Sequence, residues 1–341
     1  MAAALETPVA LILFRRPERT ARVFERIREA RPTQLFLIAD GPSAGDEEEA
    51  RDAEAARAVV EQVDWPCEVV RDYASENLGL KHRIPTGLGR LFERVERAIV
   101  LEDDCLPHPS FFPYCDQLLD RYADEERIVH VSGSQLLRRP PSGASYHFSR
   151  YVHIWGWATW RRAWRHYDVE LADWHRLPDA EREARLRRLF DEESERRYWR
   201  YVWNKSAEID NWDAQWSYVC LMRDALAINP NRNLISNVGF GSDATNALED
   251  PFGIGGRPLE GIEFPLSHPS AIERDVEADA EASRRLFRHP DPPPPPAAWR
   301  EPVERVRWWA LRAGGRALDF VPERIRPKIR HRDRQRPSNS A

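Results

Sequence analysis

The 341-residue sequence is poor in cysteine, lysine and long apolar runs. Its four cysteines, Cys67, Cys105, Cys115 and Cys220, form no CxxC pair. That argues against a disulfide framework or a zinc site and reads as reduced thiols in a cytosolic protein. No stretch approaches the roughly 20 apolar residues that a membrane-spanning helix needs. Met1–Pro8 has no basic flank, and the apolar run Val9–Phe14 is too short for a secretory leader, so none is expected. Lysine occurs only at positions 81, 205 and 328, against abundant arginine, which favours a specific role for Lys81. No internal repeat is visible, which argues against a solenoid.

What is present is a globular composition, 42% hydrophobic and 31% charged, fitting a soluble protein with a highly charged surface. The charge is unevenly placed. From Arg300 onward twelve basic residues face five acidic ones, giving +7, so that a net charge of −5 leaves −12 for the residues before it. The acidic body argues against a nucleic-acid partner. In the tail, Trp308, Trp309, Leu311 and Leu318 stand among arginines. Two readings stay open: a helix on the inner, anionic face of the membrane, or a helix packed on the body and followed by a disordered basic end.

The first half alternates strand and helix patterns. Strands are expected at 9–14, 35–39, 67–71, 99–101 and 127–131. A helix is expected to open at Pro17 and Glu18, with Val23, Phe24 and Ile27 on one face, and further helices at 46–63, 86–96 and 110–122. This alternation implies an α/β protein with a mostly parallel central sheet flanked by helices. Residues 146–175 are aromatic and irregular, 179–209 a charged helix or helix pair, and 226–270 loop-rich. The expected division is a domain over 1–275 in two halves, 1–132 and 133–275, which the resemblance given below makes a nucleotide-binding and an acceptor half. A proline-rich linker over 276–298 and a helical tail over 299–341 follow.

The apolar strand Ile99-Val100-Leu101 runs directly into Glu102-Asp103-Asp104. Three acids at the end of a covered strand repel one another and resist desolvation; a divalent cation with oxygen ligands, Mg²⁺ or Mn²⁺, relieves both. Ligands of open α/β sheets also bind at the carboxyl ends of the strands. Four further segments carry chemistry. Phe14-Arg15-Arg16-Pro17 offers guanidinium groups after the first strand. In Asn77-Leu78-Gly79-Leu80-Lys81-His82-Arg83, Gly79 permits a tight backbone, and Lys81 and Arg83 are candidates for phosphate contacts. Gly156 and Trp157 are assigned to the donor-sugar or acceptor site, because an indole face suits the C–H face of a sugar. Trp160 and Trp164 are expected in the core. Asp213 and Asp210 are candidate bases, and Asp213 also stands where an apolar helix begins.

Residues 8 to about 250 resemble a GT-A glycosyltransferase of the bacterial kind related to family-two enzymes, with motifs similar to the N-acetylglucosaminyltransferase I group. The segments that carry the resemblance are Leu101–Asp104, Pro109-Ser110-Phe111-Phe112, His153–Trp157 and Asn211-Trp212-Asp213, in that order. The resemblance implies a GT-A fold and transfer of a sugar from a nucleotide diphosphate sugar, most readily a UDP-sugar, to a glycan, lipid-linked or protein acceptor. It places the metal on Asp104, Asp103 or Glu102 near the ribose, and the Phe14–Arg16 loop and Asn77 on the nucleotide. It also makes Asp40 an acid that binds the base, although an Asx-turn residue explains Asp40 equally well. Asp213 falls at the position of the base of an inverting enzyme. Asn237–Asn246 resembles a loop that closes over the donor; Asn246 stands where relatives carry histidine, with His268 as a substitute. Two alternatives stay open. A nucleotidyltransferase should carry a glycine-rich loop and a lysine after the first strand, which Phe14–Pro17 lacks. The other is a non-catalytic nucleotide- or sugar-binding protein.

Overall fold

The computed structural model describes residues 4–141, 143–239 and 256–287. They belong to one compact unit, Met1–Phe240 with Asp250–Asp291; the second, Gly241–Glu249 with Pro292–Ala341, lies outside the described residues. So do Asn246, the Pro292–Pro296 spacer and the basic tail.

The chain begins with regular alternation: β1 (Val9–Leu13), α1 (Pro17–Ala30), β2 (Gln34–Ala39), α2 (Glu47–Val60), β3 (Glu68–Tyr73), α3 (Leu80–Arg94) and β4 (Arg97–Glu102). There follow β5 (Cys105–Pro107), α4 (Phe111–Arg121), β6 (Ile128–Ser132), β7 (Tyr146–Ser149), β8 (Trp157–Trp160), α5 (Arg161–Trp164), α6 (Ala172–Arg176), α7 (Asp179–Leu189), α8 (Glu193–Asn204), α9 (Asp213–Met222), β9 (Leu226–Pro230), β10 (Ile235–Asn237) and α10 (Val276–Leu286). Eight strands form one mixed sheet in the order β3-β2-β1-β4-β8-β6-β9-β7. Only β8 and β7 run against the other six. The fold is α/β, with a large central sheet flanked by helices.

Both faces of the sheet are covered, which is why its central strands read as unbroken apolar runs. Along β1, Ala10 and Ile12 enter one core while Val9, Leu11 and Leu13 enter the other; along β4, Ala98 and Val100 oppose Ile99 and Leu101 in the same way. Helix α1 starts on Pro17, whose missing N–H costs nothing at a first turn, and buries Val23, Phe24 and Ile27. Asp46 caps α2 by accepting from Glu49 N at 2.9 Å.

Several elements differ from the sequence-based expectation: strands β7, β9 and β10 lie in stretches expected to be irregular or loop-rich, and three further differences have clear physical reasons. Helix α3 starts at Leu80, six residues early, with Pro85 inside it. Pro85 has no N–H for the Lys81 carbonyl, so the pattern reads as broken there. The first turn is held instead by Asp210, whose Oδ1 accepts from Lys81 N at 2.8 Å. Residues 157–160, taken as irregular, form β8 and insert antiparallel between β4 and β6. The expected linker 276–298 begins too early. Val276–Leu286 is a helix capped by Asp275, which accepts from Ala278 N at 2.9 Å, and it buries Ala278, Ala282 and Leu286. Composition beyond residue 290 had masked that helical phase.

The tryptophans build the second half. Trp157 is fully buried and stacks between His130, 5.0 Å away, and Trp212, 5.5 Å away, with Trp164 and Trp216 closing the cluster. His130 accepts at Nδ1 from the Trp216 indole N–H at 3.2 Å, so its proton sits on Nε2 and points to the His153 carbonyl at 3.1 Å. Burial holds the His130 pKa down at about 3, which keeps the ring neutral. Trp157→Ala should lower stability by about 3–5 kcal/mol in urea unfolding; a loss below 1 kcal/mol would contradict its place in the core.

Candidate active site

Register puts the carboxyl ends of β1, β2 and β4 level: Leu13 pairs with Ala39, and Ile12 with Glu102. The residues that follow therefore share one edge, where ligands of open α/β sheets bind. Phe14 N donates to Asp103 Oδ2 at 3.2 Å, tying the loop after β1 to the acidic triplet. Arg16 Nη1 reaches Asp104 Oδ2 at 2.7 Å and Asp103 Oδ1 at 3.3 Å. Beyond the triplet, β5 pairs antiparallel with β10, Cys105 against Asn237. This brings Asn237–Gly239 over Asp104, with Val238 N donating to the Asp104 carbonyl at 2.8 Å. A Cβ on Gly239 would lie 2.3 Å from Asp104 Oδ2, so the glycine is needed for that close approach. Arg19 Nη1 meets the Gly239 carbonyl at 3.5 Å.

The triplet is electrostatically loaded. Glu102 Oε1 is buried without a hydrogen-bond partner. Burial, followed by the charges of Asp104, Asp103 and Asp213, pushes the Glu102 carboxyl well above its ordinary pKa. Asp103 is pushed up to about 6 by burial and by Asp104, against the pull of Arg16 and the Phe14 N–H. Asp213, in the first turn of α9, is therefore near enough for its charge to act on Glu102. Burial raises its own pKa, opposed by the N–H groups of residues 213 and 214. Tyr167, which the sequence did not single out, lies close enough to Asp213 to be perturbed by its charge. The Tyr167 hydroxyl donates to the Trp212 carbonyl at 3.0 Å, and its ring stacks on Trp164 at 4.6 Å.

Among the described residues no three His, Cys, Asp or Glu side chains converge as a ready metal cage. The orphaned Glu102 oxygen and the crowded negative charge are the features that a cation would relieve, so the residues fit the ion.

Several expected contacts are made elsewhere. Arg15 pairs with buried Glu49 of α2 instead of facing the triplet. Arg83 is a buried clamp: Nε donates to the Ala39 carbonyl at 3.0 Å and Nη2 pairs with Asp72, so β2 and β3 take the guanidinium expected at a diphosphate. Asp40 accepts from Gly41, Leu78 and Gly79 N–H at 2.9–3.0 Å, tying the end of β2 to the start of α3; it makes no Asx turn, since Pro42 has no N–H, and Asn77 Nδ2 bonds the Gly41 carbonyl at 3.1 Å. Lys81 is buried, with its Nζ 3.6 Å from Glu170. Trp157 is sealed in the core and offers no face to a sugar. Gly156 has φ +61° and packs against Ile235 and Leu101, so backbone conformation and packing account for the glycine. His268 bonds the Tyr146 hydroxyl at 3.0 Å, beside the far-edge strand β7, and is not at the triplet. Asp210 caps α3, which separates it from Asp213 as a free carboxylate. Arg19 was legible in principle, standing three residues after Arg16 on the face that α1 turns to the site.

No protein-family model and no curated protein matches the sequence. Among solved structures, the chain is similar to a UDP-glucose pyrophosphorylase complexed with UDP-glucose (TM-score 0.33, 10% identity, 66% of this chain and 90% of that one). It is similar also to mouse xyloside xylosyltransferase 1 in its apo form (0.32, 11%, 64% and 82%) and to HddC from Yersinia pseudotuberculosis (0.27, 10%, 46% and 77%). Likenesses this weak decide neither family nor activity, and the functional reading rests on the residues. Among the described residues no helix is long and apolar enough to cross a membrane.

If Arg83 serves the fold, Arg83→Met should cost about 3 kcal/mol in urea unfolding without any ligand. Unchanged stability together with a weakened nucleotide affinity would return it to the site.

Proposed function

We propose that the protein is a metal-dependent glycosyltransferase that moves a sugar from a nucleotide diphosphate sugar to a hydroxyl acceptor with inversion. The observation that carries this reading is that Asp213 lies near enough to the Glu102-Asp103-Asp104 edge for its charge to act on Glu102. Leaving group and base are then served by separate carboxylates of one site. Asp104, supported by Asp103, would hold Mg²⁺ or Mn²⁺, which when bound neutralises the donor diphosphate. Glu102 completes the acidic edge on the ribose side. Arg16 and Arg19 supply positive charge at the same edge. Asp213 accepts the proton of the acceptor hydroxyl as its oxygen bonds the anomeric carbon and the bond to the diphosphate breaks. Tyr167 and Trp212 hold the first turn of α9 that carries the base. The acceptor is a glycan or a lipid-linked sugar, and the basic tail is suited to bring the enzyme to an anionic membrane surface.

A screen of UDP-, GDP-, dTDP- and CMP-sugars with Mn²⁺ should show slow nucleotide release from one donor. Release that needs no Asp104 would contradict the metal assignment, and none from any donor, with or without acceptors, would favour a binding protein. Asp213→Asn should lower kcat by about 10²–10⁴-fold, whereas Asp210→Asn should chiefly lower stability. Only ionised Asp213 can take the proton, and its pKa is raised. The acid limb of kcat/KM should therefore rise with pH around a midpoint above the ordinary aspartate value of about 3.9. A limb at or below that value would argue against Asp213.

A further inference from the structure

The acidic edge already carries a cation. Arg16 Nη1 lies 2.7 Å from Asp104 Oδ2 and 3.3 Å from Asp103 Oδ1, bridging the two carboxylates proposed for the metal. Gly239 packs against the same Asp104 oxygen, so closely that a Cβ on it would lie 2.3 Å away. The remaining oxygen, Oδ1, is 3.6 Å from the buried Cys105 thiol. A divalent ion on Asp104 would sit beside the guanidinium, and two positive groups on one carboxylate repel each other, so their occupancies oppose one another. The partly buried Arg16, 22% exposed, gives up its ion pairs with Asp103 and Asp104 at a cost unless another anion takes their place.

From this we propose that Arg16 is a resident counter-cation which must leave Asp104 before a divalent ion binds there. It thereby keeps the site closed to free metal and opens it when an anionic ligand accepts the guanidinium. The proposal rests on the metal reading above and adds to it a competition between side chain and ion. Arg16 is in this sense a positioning residue, and its effect is read from metal binding without turnover.

The test is direct titration of the full-length protein with Mn²⁺ alone, followed through loss of the free-ion paramagnetic resonance signal. Arg16→Met should bind Mn²⁺ about tenfold or more tightly than the wild type. Arg16→Lys, which keeps a cation and serves as the conservative variant, should stay near the wild type. The double variant Arg16→Met with Asp104→Asn should lose the gain. Equal or weaker binding by Arg16→Met than by wild type overturns the exchange. If uptake nevertheless depends on Asp104, the metal reading stands; if Asp104→Asn binds Mn²⁺ as well as wild type, the metal reading falls with it.

Discussion

Three carboxylates at the end of a strand sealed on both faces set the terms for this molecule. Glu102, Asp103 and Asp104 follow directly on Leu101, at a point where β4 has a neighbour on either side. Their mutual repulsion and lost hydration raise the pKa values of Glu102 and Asp103. The surrounding structure answers with positive charge and N–H groups: the Phe14 N–H, Arg16, and Arg19 behind Gly239. A neutral triplet would not require that shell. Folding alone could have been served by apolar residues here, so the acids are retained at a stability cost.

The opposing half of the site depends on a different force. Asp213 is carried by a helix whose root is a block of stacked indoles around Trp157. Packing of rigid aromatic rings holds a helix terminus more tightly than a surface loop would, and the neutral, doubly bonded His130 ring within the block adds directionality. Trp157, Trp164, Trp212 and Trp216 are buried and hold the start of α9 in place by packing. Arginine plays a parallel structural part. Arg83 and Arg57 bind backbone carbonyls at the ends of β2 and β3, and Arg257 binds those of Gln135 and Leu137. This accounts for much of the arginine that the sequence presents as surface charge.

The legibility of the sequence followed the range of the forces involved. Strands β1, β2 and β4 were readable because burial on both faces leaves continuous apolar runs, and the acidic stop after Leu101 marked the ligand edge. Strand β8 was not, because four residues carry too little periodicity and its insertion between β4 and β6 is decided by partners far along the chain. The start of α3 was hidden by Pro85 and restored by a carboxylate 129 positions away, Asp210. Side-chain destinations were hardest. Arg15 and Arg16 are equivalent in sequence, yet Glu49 takes one and the triplet the other. Asp40 and Arg83 were drawn from ligand to backbone for the same reason: a buried N–H or carbonyl without a partner is costly, and the nearest long polar side chain fills the need.

The central claim is that Asp104 is the metal position of a nucleotide diphosphate site facing Asp213. Anomalous diffraction from crystals grown with Mn²⁺ and a nucleoside diphosphate tests it most directly. The account predicts a single manganese peak in contact with Asp104 and the two phosphates, with Arg16 moved off that carboxylate and Asp213 facing the open side. A peak bound away from Asp104, or phosphates bound at another edge of the sheet, would contradict it.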